Sequence, residues 1–193
     1  MKLASLLAQH PAAYLLFLNR LPGVRSRRWP HLIKAIETTG CQLLTDASVT
    51  ELTAAGFPKE ALAGLLECRN QGELAASLIN GVLVDIEWLQ QQNRHLIVRG
   101  SAHYPALLEQ IFDPPNVLFV EGNINALSPL CVAIVGARNP TLVGRERAFQ
   151  FAERFAQAEV ITVSGLALGI DAQAHRGALH GKGKTLAVLA GGL

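Results

Sequence analysis

Cysteine is scarce in this sequence, and its spacing excludes one class of small protein. The 193 residues contain three cysteines, Cys41, Cys68 and Cys131, with no Cys-x-x-Cys pair and no histidine at metal-binding spacing. A zinc ribbon is therefore excluded. An odd number of widely spaced cysteines favours a reducing compartment, so we expect a cytoplasmic protein.

Charged residues make up only 17% of the chain, whereas 50% are hydrophobic, which excludes wholesale disorder. Glycine and proline follow no period, which excludes collagen-like fibres. Long apolar runs are absent too: the longest near the amino terminus, Ala12–Leu18, has seven residues, far below the roughly 20 that span a bilayer. We expect no membrane association. A signal peptide over residues 1–18 is a weak alternative, because polar residues interrupt its apolar region.

The net charge of +2 hides an uneven distribution. Residues 1–36 carry six basic residues and no acid, 37–130 carry four basic and eleven acidic residues, and 131–193 carry seven basic and four acidic residues. Arg25, Arg27 and Arg28 form an auxiliary basic patch that could meet phosphates. A solvated helix-hairpin surface explains the same cluster, and both interpretations stay open.

The first part of the chain has the pattern of a small helical domain. Apolar stripes alternate with stop signals such as Leu21-Pro-Gly-Val24. Ser48 followed by Glu51 predicts a capping box, and Pro58 can open the next helix at its first turn. We place the helical domain at residues 1–92.

From residue 93 onward the pattern predicts strands alternating with helices. Short strands are predicted at 95–98 and 117–120. Then come a strand at Cys131–Val135, covered on both faces, a helix over 142–157, a strand at Val160–Val163, a helix over 170–180 and a strand at Thr185–Leu189. This order predicts a parallel, right-handed α/β sheet over 93–193. Such a sheet normally continues, so we expect the fold to be incomplete at Leu193.

Glycines follow all three of the later strands, at the edge where open parallel sheets bind ligands. The segments are Gly136–Asn139 with Gly144 beyond it, Ser164–Asp171 including Gly165 and Gly169, and Ala190–Gly192. Helix amino termini follow the first two and favour an anion, and Arg138 supplies a fixed cation. The pattern predicts a phosphate-binding edge, with Gly136, Arg138, Asn139, Gly144, Ser164, Gly165 and Gly169 as its residues. Glycines that merely allow tight turns are the alternative.

Two common nucleotide motifs are missing. No Gly-x-Gly-x-x-Gly follows a strand, and no acidic residue ends the second strand, so NAD binding is not expected. Gly181-Lys-Gly-Lys-Thr185 ends like a P-loop but leaves a helix and enters a strand, so we interpret it as an αβ loop with Lys184 as a candidate phosphate contact. We expect no cofactor and no metal ion.

The remaining candidates for chemistry favour structural roles. Asp171 and His175 are four residues apart on a helix and could form a catalytic pair, but a dipole-stabilising carboxylate and a local hydrogen-bond partner explain them better. Ser164 lacks the Gly-x-Ser-x-Gly context of a nucleophile, so we expect its hydroxyl to donate to a phosphate. Cys131 opens a buried strand and is expected in the core.

Several motifs in order resemble the DNA-processing protein A family (DprA, also called Smf). They are Tyr104-Pro105 with its flanking residues, Asp113–Phe119, Val132–Arg138, Val163–Asp171 with His175, and Thr185–Gly191. The resemblance covers about 95–193, and residues 1–92 resemble the family's helical domain only in kind. It implies a SAM-like helical domain followed by an incomplete extended Rossmann-like sheet.

The resemblance also implies a function. Members are non-enzymatic proteins that bind and protect single-stranded DNA and help to load a RecA-type recombinase in natural transformation. They act as homodimers. Arg138 would contact DNA phosphate, with Ser164 and Gly165 in the same pocket. The family usually has arginine where this chain has Leu168, so one cation is missing.

Two other functions are compatible with parts of the sequence. A nucleotide-phosphate hydrolase of the phosphoribohydrolase (lysine-decarboxylase-like) type has a related fold, but the proline of its Pro-Gly-Gly-x-Gly-Thr loop is absent before Gly191. A protein-interaction module would instead act through residues 1–92. The salt dependence of oligonucleotide binding separates these hypotheses.

Overall fold

The computed structural model of the protein describes residues 2–191, which divide into two compact units between Gly122 and Asn123. The first unit consists mainly of helices, followed by two strands on either side of a short helix. Its elements are α1 (Leu3–Gln9), α2 (Ala13–Arg20), α3 (Trp29–Thr39), α4 (Gln42–Thr45), α5 (Val49–Ala54), α6 (Lys59–Arg69), α7 (Glu73–Leu89), β1 (Arg94–Val98), α8 (Ala106–Glu109) and β2 (Val117–Glu121). No helix in the described part of the chain is both long and apolar enough to cross a membrane.

The core of the first unit is formed by helix faces of leucine and aromatic residues. Phe17, Trp29, Leu32 and Leu65 are each at most 1% exposed. Burying such side chains contributes roughly 1.5–3 kcal/mol each, so these helices owe their stability mainly to packing.

Local capping signals set the boundaries of two helices in this unit. The Ser48 hydroxyl accepts the Glu51 N–H at 3.2 Å, and the Glu51 carboxylate accepts the Ser48 N–H at 2.7 Å. The predicted capping box is therefore present. Pro58 precedes α6 as its N-cap, one residue before the position we predicted.

Strands β1 and β2 belong to the helical unit, although we placed the domain boundary at residues 92–93. They pair antiparallel, with Arg94 opposite Glu121 and Val98 opposite Val117. Val117 is 7% exposed and lies in the helical core, with Leu96 and Val98 packed against it. The boundary between the compact units therefore lies further along the chain than expected, because the strand pair buries its apolar face on the helices.

The second unit is a three-stranded parallel sheet with two helices. After a 3₁₀ turn at Ile124–Leu127 come β3 (Cys131–Ala133), α9 (Leu142–Gln157), β4 (Ile161–Ser164), α10 (Ile170–His180) and β5 (Thr185–Ala187), and the strand order is β3-β4-β5. The observed α9 and α10 match the ranges predicted from sequence. The parallel α/β architecture is confirmed, with strands shorter than predicted.

Small residues bring α9 and α10 into close contact. Ala152, Ala174 and Ala178 are fully buried between the helices and the sheet. A Cβ atom on Gly177 would lie 2.1 Å from the carbonyl oxygen of Phe149, so only glycine fits there. The two helices consequently pack closely together as one layer on the sheet.

The prediction that β3 is covered on both faces is wrong for the described residues. The connections from β3 to β4 and from β4 to β5 both step in the same direction across the sheet. Right-handed connections of this kind place their helices, α9 and α10, on the same face of the sheet. On the opposite face Ala133 of β3 is exposed. Val135, two residues after β3, is 74% exposed, and Val188, directly after β5, is 65% exposed. Cys131, expected in the core, is half-buried.

The strand pair should stabilise the helical unit measurably. A fragment of residues 1–122 keeps the Val117, Leu96 and Val98 contacts, whereas a fragment of residues 1–92 loses them. Because burying one such side chain contributes about 2 kcal/mol, we expect the shorter fragment to melt at a clearly lower temperature. Thermal unfolding followed by circular dichroism at 222 nm measures this, and equal melting temperatures would favour the boundary at residue 92.

Candidate nucleic-acid interface

Three loops meet at the carboxyl edge of the parallel sheet. They are residues 134–140 after β3, 165–169 after β4 and 188–191 after β5, and we call them the strand-end site. Parallel strands end at the same edge, which is where open α/β sheets place their ligands. The backbone continues the ladder at this edge, since the Val188 N–H donates to the Ser164 carbonyl oxygen at 2.9 Å.

Gly169 fixes the first two loops against each other. Its φ of +90° favours glycine, and a Cβ atom there would lie 2.3 Å from the Ala137 carbonyl oxygen and 2.5 Å from that of Arg138. The Ile170 N–H donates to the same Ala137 oxygen at 3.2 Å. At Gly136, a Cβ atom would lie 2.6 Å from Cγ1 of Ile170. Gly136 and Gly169, two of the four glycines of the predicted edge, therefore permit close contact between loops.

Arg138 is the only charged residue in the sequence of these loops. Its side chain is exposed, as is that of Asn139. None of the ion pairs found within residues 2–191 involves Arg138. The guanidinium is thus available to an anion from solution.

The side chains around this cation are apolar. Leu166 is 58% exposed and Leu168 is 79% exposed. Val135 and Val188 are exposed at the same edge. Leu166 also has a φ of +59°, which is uncommon for a residue other than glycine. The site therefore offers one fixed positive charge beside exposed hydrocarbon.

Three predicted phosphate donors make internal hydrogen bonds instead. The Ser164 side chain is buried, and its hydroxyl donates to the Ile134 carbonyl oxygen at 2.7 Å. The Gly165 N–H donates to Asp171 Oδ2 at 3.1 Å. The Gly144 N–H donates at 3.1 Å to the hydroxyl of Thr141, the N-cap of α9. These groups hold the loops in shape and leave none of these protons for a ligand.

Lys184 does not belong to the strand-end site. It immediately precedes β5, so the parallel direction of the sheet puts it at the amino edge, opposite Arg138. The P-loop-like segment lies between α10 and β5, as an αβ loop. The predicted position of Lys184 in an αβ loop is thus confirmed, and its contact with a phosphate stays a prediction.

Asp171 and His175 are both buried at 7% exposure and have separate partners. Asp171 accepts the Gly165 N–H across six residues. Sequence reasoning missed this role, and the only available signal was an acidic residue in the first turn of a helix that follows a glycine loop. These contacts support structural roles for Asp171 and His175 rather than a catalytic pair.

His175 begins a short hydrogen-bond chain to the sheet. Its Nδ1 lies 2.7 Å from the Thr185 hydroxyl, which donates to the Thr162 carbonyl oxygen at 2.8 Å. Thr185 has only one hydroxyl proton, so His175 must donate from Nδ1. Burial lowers the pKa of His175, and the Asp171 carboxylate offsets part of that by raising it.

The auxiliary basic patch lies in the first unit, in the loop between α2 and α3. Arg25, Arg27 and Arg28 are all exposed. Arg28 donates to the Gly56 carbonyl oxygen at 3.1 Å.

Comparison with known proteins gives concordant matches. Residues 95–193 match the family described as DNA recombination-mediator protein A. Protein Smf of Escherichia coli (strain K12) is 43% identical over 106 residues, covering 55% of this chain and 28% of that protein. DNA processing protein DprA of Bacillus subtilis (strain 168) is 38% identical over 104 residues, covering 53% of this chain and 35% of that protein.

A solved structure matches the fold over nearly the whole chain. DNA processing protein A (DprA) from Streptococcus pneumoniae superposes with a TM-score of 0.63 at 24% identity, covering 98% of this chain and 58% of that one. The chain spans about a third of the length of the two curated relatives described above.

Stability should fall as the solution becomes acidic, because His175 is held neutral in the fold. Its folded pKa is lowered, so as pH drops below about 6.5 the unfolded chain binds a proton before the folded chain does. The free energy of unfolding then decreases by at most about 1.4 kcal/mol per pH unit. Urea unfolding between about pH 7.5 and 5.5 measures this slope. His175→Gln should flatten it and exposed His103→Gln should not, whereas an unchanged slope in His175→Gln would contradict the assignment.

Proposed function

This chain belongs to the DNA recombination-mediator protein A family, and we propose that it binds single-stranded DNA at the strand-end site without catalysing a reaction. The observation that carries the proposal is the exposed Arg138 guanidinium, which has no ion-pair partner within residues 2–191. It sits on a loop that Gly169 holds in place. The name of the Bacillus subtilis relative, which describes DNA processing, supports the choice of ligand.

A phosphodiester is the anion that this geometry favours. The arginine fork can donate two parallel hydrogen bonds to phosphate oxygens, and its charge is independent of pH in the physiological range. Since the loops are already fixed, little conformational entropy is lost when the contact forms. Asn139 lies beside the cation and can add a neutral hydrogen bond.

The apolar surroundings favour a single strand over a duplex. Unpaired bases expose faces that can contact Leu166 and Leu168, whereas a duplex covers them. Single-strand binders combine a basic groove with contacts to unstacked bases. The described loops hold no helix or basic repeat suited to a major groove.

The candidate catalytic side chains in and beside these loops are unsuited to hydrolysis. Ser164, Asp171 and His175 are buried and make internal hydrogen bonds. A nucleophile needs an accessible base within hydrogen-bond reach, and none of these three can serve as one here. The geometry therefore favours binding over the phosphoribohydrolase-type alternative.

The wider role is also a proposal, because the chain spans only part of its relatives. We propose that the full protein is cytoplasmic, acts as a homodimer, protects incoming DNA in natural transformation and assists loading of a RecA-type recombinase. The family's description as recombination mediators supports the last step.

Arg138→Ala should weaken DNA binding without unfolding the protein. Losing one phosphate contact on a single strand lowers the slope of log K against log salt by about 0.7, and similarly for all sequences. The melting temperature should be nearly unchanged, because an exposed charge contributes little to folding. Arg154→Ala, which removes an exposed arginine late in α9, is the matched control.

Fluorescence anisotropy of a labelled oligonucleotide over a salt series measures this effect. If Arg138→Ala binds as tightly as the unaltered chain while Arg154→Ala loses affinity, the site assignment is wrong.

Single strands should outcompete duplex DNA of the same sequence for this chain. The physical reason is the exposed hydrocarbon beside Arg138, which only unpaired bases can reach. Competition against a labelled single strand at fixed salt provides the measurement, and equal competition by the duplex would count against the proposal.

A further inference from the structure

The loop between α2 and α3, residues 24–28, carries alternating buried and exposed side chains. Val24 and Ser26 are 8% and 4% exposed, whereas Arg25, Arg27 and Arg28 are exposed. Trp29, which follows, is almost completely buried at 1% exposure. The buried residues fix the loop in the helical core, so its three arginines are held outward. We call these five residues the arginine loop.

Residues that lie between β1 and β2 support the arginine loop through hydrogen bonds. Arg99 Nη1 donates to the Ser26 carbonyl oxygen at 2.6 Å, and Asn116 Nδ2 donates to the Val24 carbonyl oxygen at 3.5 Å. The Ser26 hydroxyl donates to the Asp113 carboxylate. The first two bonds satisfy backbone carbonyl groups of the arginine loop, and the third fixes the Ser26 side chain. The loop is therefore pre-organised before any ligand arrives.

The charge on the outer side of this loop is not neutralised. No ion pair of the described chain involves Arg25, Arg27 or Arg28. Of the acidic residues around this loop, Asp113 accepts the Ser26 hydroxyl, Glu109 pairs with Arg99 at 2.7 Å, and the Glu60 carboxylate lies beside Gly23. Asp113 and Glu60 are exposed, and their two carboxylates reduce the positive field of the three arginines without cancelling it.

An exposed aromatic ring adjoins these cations. Phe112 is 85% exposed, and the guanidinium carbon of Arg27 lies 5.1 Å from its ring centroid. Leu107, 76% exposed, precedes it in the same segment between the two strands. An exposed aromatic face beside arginine is the combination on which single-stranded nucleic acids stack their bases.

We propose that the arginine loop and Phe112 form a second contact for single-stranded DNA, separate from the strand-end site. The three arginines bind successive backbone phosphates, and Phe112 stacks on an unpaired base. This inference rests on the proposed function, because that function names the ligand. Charge and aromatic stacking occur together here, whereas the strand-end site has one cation and only aliphatic neighbours.

The test uses the full chain and a labelled oligothymidylate in a salt titration. Replacing Arg25, Arg27 and Arg28 by alanine should lower the salt slope by about 2, because three phosphate contacts on a single strand contribute about 0.7 each. Replacing Arg147, Arg154 and Arg176 by alanine removes the same charge from exposed positions of α9 and α10 and should lower the slope much less.

Phe112→Ala tests the stacking step separately. It should weaken binding about tenfold, the expected effect of losing one stacked base, and leave the salt slope unchanged. Phe112→Tyr should restore the affinity. Circular dichroism melts confirm that each variant is folded.

The outcomes separate this proposal from the strand-end site. If Arg138→Ala lowers the slope but the arginine-loop variant equals its matched control, the second contact is overturned and the proposed function stands. If the arginine-loop variant and Phe112→Ala lose affinity while Arg138→Ala does not, the second contact stands and the strand-end site fails. If the unaltered chain shows no salt-dependent binding of single strands, both are overturned.

Discussion

The backbone contact at Gly169 is the constraint on which the candidate site depends. Two loops from neighbouring strands approach so closely there that carbonyl oxygens occupy the space of a side chain. Asp171 then holds the start of the second loop through Gly165, and Ser164 ties the strand end to Ile134. Arg138 needs no partner of its own, because these neighbours already fix its backbone.

This arrangement explains why the polar groups of the loops divide into two kinds. Donors that point inward are used to shape the loops, as at Ser164, Gly165 and Gly144. Those groups would cost free energy if they were left unpaired on burial. The Arg138 side chain extends into solvent, and its exposed neighbours contribute an amide at Asn139 and hydrocarbon at Leu166 and Leu168 rather than charge.

The sequence allowed prediction of those features that depend on local periodicity and capping. The ranges of α9 and α10 and the Ser48–Glu51 capping box follow from patterns within one helix length. The roles of Ser164 and Gly165 did not follow, because their partners are chosen by the fold. The pairing of β1 with β2 on the helical core did not follow either, because it depends on a surface that no single segment encodes.

The register of the parallel sheet has a kinetic consequence. Cys131 pairs with Ile161, and Thr162 with Thr185, so each new strand can join only after an entire crossover helix has been made. The chain loses the entropy of closing each crossover connection before strand pairing lowers its free energy. Topologies dominated by such non-local pairing therefore fold slowly. The helical unit, which is synthesised first, can fold while the sheet is still incomplete. During that interval the unpaired edges of the short strands in the second unit are open to mispairing.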